Sequence, residues 1–567
     1  MKKIILFLTF IVTILIVPLS AMAYDLEVDG IYYYVTPDGR AYVTYNDANF
    51  NSYSGDVVIP AQFTHEGTTY TVIRIDEFAF DRCENLTSVT IPATVTVIDQ
   101  SVFCDCPKLT RVSIPESVTE IGNYAFTRCT SLKSIVIPDA VTKLGFSAFQ
   151  ECTALTHITL SNNLEILKSL TFNGCTSLKR ITIPASVKTI EYNAFEQCTA
   201  LESVNMSIGL TSIENSAFRR CENLKQVTLP NTVTHIGAET FAYCPNLKSV
   251  TLSSSLEVIG QGSFRESGLE SITIPNSVTD IDQLAFYSCS NLTEVEIGDG
   301  VKEIGEYAFY MCNGMTTLTL GNHLETIHHN AFKGCSKLAS LNIPNSVTTI
   351  ENDAFAYCHA LRSVVIGNGL ETISEHLFHE CENMTNLVIG DNVKTISSYA
   401  FYSCSSLSTV NIPNSVETIG ACVFTQCYGL TRVNIGSGVK SIDFGTFSAD
   451  WNLKSVTCHA VTPPAFGVND NWTNFSPNVY EQATLYVPEE SISKYSNAQT
   501  WKDFVDIKAI SNIIPGDVNG DKVVTIADVN VVINAILSNA YDDALDVNED
   551  KDVNIADVNA IINIILK

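Results

Sequence analysis

Residues 109–131 read LTRVSIPESVTEIGNYAFTRCTS, and this stretch decides the fold. Val112 and Ile114 alternate with Arg111 and Ser113, the two-residue period of a half-exposed strand. Pro115 ends that strand, because proline brings no N–H to a ladder. Val118 and Ile121 make a second short apolar segment, Gly122 marks a turn, and Ala125 and Phe126 open a further turn that buries Phe126 and Cys129. The same order of residues returns every 23 positions. Cysteines stand at 83, 106, 129, 152, 175, 198, 221 and 244, and after one 22-residue step at 289, 312, 335, 358, 381, 404 and 427. Phenylalanine precedes each by three residues, and Leu or Met follows by three; 17 such Phe-marked units run from Phe80 to Phe447. A fixed period of this length specifies a solenoid, whose units bury their apolar faces only by stacking. Such a body offers a long surface and no deep cleft, which favours binding over catalysis.

The chain has 567 residues and a formal charge of −28. That charge argues against nucleic acid, which is held by Lys and Arg on phosphates, and against an anionic membrane surface. Lys2 and Lys3 precede an apolar run from Ile4 to Val17, and Ala21-Met22-Ala23 is a small-x-small cleavage site. Residues 1–23 therefore read as a signal peptide, and the chain from Tyr24 as exported, secreted or held at the cell surface. The apolar run is too short to span a bilayer, and no later stretch reads as transmembrane. Export makes 18 cysteines suggest disulfides. The fifteen periodic ones share one interior register instead, so they read as buried, reduced thiols acting as small apolar residues. Cys104, Cys422 and Cys458 lie off that register.

The last 52 residues hold ten Asp and Glu against three Lys. A segment occurs there twice, 29 residues apart: DVNGDKVVTIAD from Asp517 and DVNEDKDVNIAD from Asp546. Oxygen donors fall at positions 1, 3, 5, 9 and 12 of a calcium loop, and position 7 supplies a backbone carbonyl. The first set is Asp517, Asn519, Asp521, Val523, Thr525 and Asp528. The second is Asp546, Asn548, Asp550, Asp552, Asn554 and Asp557. The spacing calls for two Ca2+ ions, since a hard cation takes six to eight oxygens. A helix with one apolar stripe should follow each loop, formed by Val529, Val532, Ile533, Ile536 and Leu537 and by Val558, Ile561, Ile562, Ile565 and Leu566. A core this small draws stability from metal.

The repeat, Leu-x-x-Val-x-Ile-Pro with Ala-Phe-x-x-Cys, resembles the BspA-like leucine-rich repeat family of bacterial surface proteins over about residues 56–460. That resemblance implies a mostly β, right-handed solenoid with a parallel strand in each turn, and adhesin-like binding of an extracellular protein. The tail resembles a type I dockerin, which implies a small α-helical calcium-binding domain that docks to a cohesin-type partner. Two departures stand out: position 6 is Lys522 and Lys551 where Gly is usual, and the recognition pair at positions 10 and 11 is Ile526-Ala527 and Ile555-Ala556, an apolar contact. The domains read as a β cap over 24–79, the solenoid over 80–457, a second cap over 458–510, a linker over 511–515 and the dockerin-like domain over 516–567. In the caps, Asp29-Gly30 and Pro37-Asp38-Gly39 signal hairpins. Residues 484–488 read as a last strand, Ile492 to Ala498 as a short helix, and Trp501 and Phe504 as the cover of the core.

Other constellations are weaker. The outward strand positions Ser88 and Thr90, Arg111 and Ser113, Arg180 and Thr182, Glu294 and Glu296, and Thr317 and Thr319 are small or polar and lack the aromatic faces of glycan sites. Tyr287, Tyr307, Tyr310, Tyr399 and Tyr402 suit packing over the Phe turn better than an exposed platform. His323, His328, His329, His359, His376 and His379 gather within neighbouring rungs, with no carboxylate or Cys at metal-ligand spacing, and read as surface histidines. No nucleophile set, phosphate loop or zinc signature is present. The reading is an exported, non-catalytic protein whose solenoid binds extracellular protein. Its alternative is a glycan-targeting component of a cohesin–dockerin polysaccharide-degrading assembly.

Overall fold

A computed structural model describes residues 24–46, 50–469, 473–510, 516, 518, 524–538, 545, 547 and 553–566. The signal segment 1–23 and the linker 511–515 lie outside these residues. The rest forms two compact units, one ending at Val301 and the other beginning at Lys302.

The first unit begins with antiparallel hairpins. Leu26–Val28 pairs with Ile31–Val35 across Asp29 and Gly30, both at positive φ as a two-residue hairpin turn requires. Ile31–Val35 pairs in turn with Arg40–Thr44. Arg40–Thr44 pairs in parallel with Thr68–Ile75, which hands the chain to the repeats. Tyr53 closes this end: its hydroxyl donates to the Thr44 carbonyl at 2.5 Å, and its ring lies 4.4 Å from Phe80.

Each repeat then carries two short strands, as the alternation in 109–131 predicts. Arg111–Ser113 and Glu120–Ile121 are such a pair. Like strands stack in parallel with a shift of one period, for example Arg180 on Ser203 and Ile121 on Leu144. A third ladder joins the turns. Every second amide donates to the next rung: Tyr124 to Phe146 O, Phe126 to Ala148 O and Arg128 to Gln150 O. This arrangement places Tyr124 and Arg128 at φ 56°, and most rungs repeat both left-handed positions without glycine. Inside, the Phe rings of the first unit stack from Phe80 to Phe286 at 5.0 to 5.7 Å.

The cysteines do more than fill space. From Cys106 onward most ladder thiols donate to the carbonyl of the Phe one rung earlier, as in Cys129 to Phe103 at 3.1 Å and Cys198 to Phe172 at 3.2 Å. In most rungs that carbonyl also accepts from the cysteine amide of its own rung, as Phe126 O does from Cys129 N. A sulfur at this register thus satisfies the second lone pair of a buried acceptor. All 18 cysteines are free, and every one but Cys104 is buried. Burial pushes the Cys198 and Cys244 thiols up to about 12. Between Cys244 and Cys289 the register is held by Ser267, whose hydroxyl lies 3.4 Å from the Cys289 sulfur. The turn there is one residue short. Gly268 permits this, because a Cβ would fall 2.0 Å from the Pro245 carbonyl oxygen.

The second unit continues the same repeat, with rings stacked from Phe309 to Phe447 at 5.0 to 5.8 Å. One further ring, Phe475, stacks on Phe447 at 5.2 Å from outside the 23-residue period. The cap departs from expectation, adding a strand, Ala465–Phe466, and a helix, Pro477–Gln482. Thr484–Val487 is a strand but not the last; Asp506–Ala509 pairs on it in parallel. The helix expected from Ile492 to Ala498 is shorter, Ile492–Tyr495. Trp501 is fully buried against Phe466 and Phe475 and donates to the Pro464 carbonyl at 2.8 Å. Among the described residues no helix is long and apolar enough to cross a membrane.

Candidate functional site

Two helices, Ile526–Ser538 and Ile555–Ile565, pack on each other at the end of the second unit. Their shared core is Val529, Val532, Ala535, Leu545, Val558 and Ile561. Val518, Val524, Val547 and Val553 from the loops pack against it. The 29-residue duplication preserves those valines, Val518 with Val547 and Val524 with Val553.

Each helix is tied to its loop by one aspartate. Asp528 is fully buried and accepts from the amides of Val518 at 3.0 Å and Thr525 at 2.8 Å. Asp557, also fully buried, accepts from Val547 at 2.7 Å and Asn554 at 2.9 Å. The last carboxylate of each loop thereby draws the second and ninth loop residues together. Thr525 and Asn554 cap the helices, their side-chain oxygens accepting from the amides of Ala527 at 3.1 Å and Ala556 at 2.8 Å. The candidate ligands Asp517, Asn519, Asp521, Val523, Asp546, Asn548, Asp550 and Asp552 lie outside the described residues. Those that are described fit a hard cation: the donors are oxygens, and two buried carboxylates hold the loop ends closed.

The outer face departs from expectation. Leu537 and Leu566 do not join the core; they are 79% and 77% exposed. At about 100° per residue, Leu537 lies about 80° from Val529 on the side away from Val532. Ile526 falls on that same side and is 67% exposed, as its counterpart Ile555 is at 66%. Ala527 is exposed beside Ile526, and Ala556 is half-exposed. Each helix thus shows water an apolar pair, Ile526 with Leu537 and Ile555 with Leu566.

On the solenoid, Arg111, Ser113, Arg180, Thr182, Glu294, Glu296, Thr317 and Thr319 are exposed, as the alternation requires. Tyr399 and Tyr402 are half-exposed with ring centroids 5.8 Å apart. Asp81, Cys104 and Asp105 bring three donor atoms within 4.8 Å of one another. Arg128 clamps Asp105 through two contacts of 2.5 and 2.7 Å, and burial pushes the Cys104 thiol up to about 12.

A stack of 23-residue parallel-strand turns followed by a paired-loop helical module defines a solenoid binding protein with an attachment domain. The chain belongs to the BspA type leucine-rich repeat family, whose model matches residues 63–179, 142–268, 257–385 and 371–463. Residues 515–566 match the dockerin type I domain. No curated protein matches the chain. Among solved structures it is similar to a leucine-rich repeat protein from Bacteroides ovatus, with 26% identity over 76% of this chain and 94% of that one and a TM-score of 0.46. It is also similar to a leucine-rich cell surface protein from Faecalibacterium prausnitzii, with 27% identity over 64% and 94% and a TM-score of 0.38.

Proposed function

We propose that this is an exported, non-catalytic binding protein that attaches through its tail and recognises an extracellular protein through its solenoid. The observation that carries the attachment reading is the duplicated apolar pair, Ile526 with Leu537 and Ile555 with Leu566, on helices fixed by Asp528 and Asp557. Exposed apolar side chains on so small a domain suit a cohesin-type partner. Asp517, Asn519, Asp521, Thr525, Asp528 and the Val523 carbonyl would hold one calcium ion. Asp546, Asn548, Asp550, Asn554, Asp557 and the Asp552 carbonyl would hold the other. Calcium would supply charge neutralisation and close each acidic loop. The long polar lane suits an extended protein touched weakly at many rungs.

Calorimetric titration of the full chain with calcium tests the tail: uptake of two ions is expected, and Asp517→Ala or Asp546→Ala should each remove one. No uptake at millimolar calcium would end the reading. Capture by a panel of cohesins should fail in chelator and fail with Ile526→Asp plus Ile555→Asp. A glycan array beside a panel of matrix proteins decides the solenoid's ligand, and binding to glycans alone would favour the polysaccharide-assembly reading.

A further inference from the structure

The segment Glu375-His376-Leu-Phe-His379-Glu380 closes one turn of the second unit with its two imidazoles facing each other. His376 Nδ1 and His379 Nδ1 are 3.3 Å apart. Each ring has its other nitrogen against a carboxylate: His376 Nε2 lies 3.7 Å from Glu375, and His379 Nε2 lies 3.4 Å from Glu380. A carboxylate at Nε2 favours the proton there and leaves the Nδ1 lone pair unprotonated. The contact is a hydrogen bond when one Nδ1 carries a proton, and a pair of facing lone pairs that a cation between them would bind when both protons sit at Nε2. Tetrahedral zinc with Zn–N bonds of about 2.0–2.1 Å sets its donor atoms about 3.3–3.4 Å apart, which is the separation seen. Carboxylate–imidazole–metal is also the usual order of partners around a ligating histidine.

The rings are held in place. His376 stacks on Tyr399 at 4.9 Å and 6°, and His379 on Tyr402 at 4.9 Å and 10°. Tyr357 packs edge-on against His379 at 5.5 Å. The backbone is fixed as well: His379 N donates to His376 O within the turn, and Phe378 N donates to Ala400 O on the next rung. The other clustered histidines are arranged differently. His328 and His329 share Glu351 at 3.2 and 3.6 Å, and a carboxylate already occupies the space between them.

From this geometry we infer that His376 and His379 form a binding site for a divalent transition cation of the zinc and copper class, with water completing the coordination. Imidazole nitrogen selects these ions over calcium and magnesium, so the site is chemically separate from the acidic loops of the tail.

Zinc chloride titrated into the full chain in saturating calcium tests the proposal, with the calcium blocking the tail. One ion is expected to bind through His376 and His379, and zinc should protect both from diethylpyrocarbonate while His157 stays reactive. His376→Gln and His379→Gln should each abolish that binding. Glu380→Gln should weaken it about tenfold or more, the usual effect of removing a ligand's carboxylate partner. Affinity should fall in acid, because a protonated imidazole has no lone pair to offer a metal. Protection of neither histidine, or full zinc uptake by either His variant, would overturn the assignment. So would an Nδ1 pair that shares a proton and takes no zinc. The footprint is read on the unaltered chain, so it stands even if a variant folds poorly.

Discussion

Asp450 stands 23 residues after Cys427, at the register where the earlier rungs carry a thiol. Its side chain is fully buried, and neither carboxylate oxygen has a hydrogen-bond partner among the described residues. Burial pushes its pKa well above the carboxylate range, and the Cys427 backbone opposes this. The folded chain therefore keeps a proton that the unfolded chain releases above about pH 4. Stability from this residue is fully present below that value and is lost as pH rises toward the raised folded value. Asp450→Cys should restore the donor that Cys427 supplies to the Phe401 carbonyl at 3.4 Å, here aimed at Phe424. Removing an unsatisfied buried acceptor should raise stability at pH 7 by about 1–3 kcal/mol. The gain should shrink toward about pH 4, where the native acid is protonated in both states. Trp451 and Trp501 lie at this end of the repeats, and the third tryptophan falls between them in sequence. Their fluorescence in guanidinium chloride follows local unfolding here, which a repeat array allows apart from the rest. An unchanged midpoint at pH 7, or a pH profile parallel to that of the parent, would refute the reasoning.

Three further outcomes are expected. The buried ladder thiols should resist alkylation in the native chain, and all 18 should react after unreduced denaturation; mass spectrometry reads the count, and a shortfall would reveal disulfides. Glu151, exposed at φ 55°, should give a chain more stable by about 1 kcal/mol when replaced by Gly, because a left-handed L-residue carries strain of that order. Hydrogen exchange of the flanking amides would show slower opening; faster opening would mean the ladder favours a side chain there. Phe195→Ala should cost about 3–5 kcal/mol, since it removes a fully buried ring stacked at 5.1 and 5.0 Å on its neighbours. Thermal melting followed by far-UV circular dichroism checks this.

The period of 23 made the strands, the stacked rings and the buried cysteines legible, because each repeat states the same interior pattern. What escaped lay off that period. Phe475 follows Phe447 by 28 residues and still takes the next place in the stack. The left-handed turn positions carry Leu170, Tyr243 and His376 alike, so composition gives no sign of a backbone set by ladder hydrogen bonds. In the tail the duplicated spacing marked Asp528 and Asp557, but helical geometry, not hydrophobicity, decides that Leu537 faces water. The facing of the two imidazoles is not written in the sequence either, because Tyr399 and Tyr402, which hold the rings, stand one full period away.

The thiol ladder also sets a hazard for the chain before it folds. Fifteen cysteines at near-equal spacing are interchangeable partners, and closing a loop of one period costs an unfolded chain little more than closing a shorter one. In an oxidising medium any mispaired neighbours would lock two rungs out of register. Once stacked, the same sulfurs are sheltered from oxidant and held as unreactive thiols. Correct assembly is then a race between stacking and oxidation, and an accelerated stacking rate protects the array as surely as added stability.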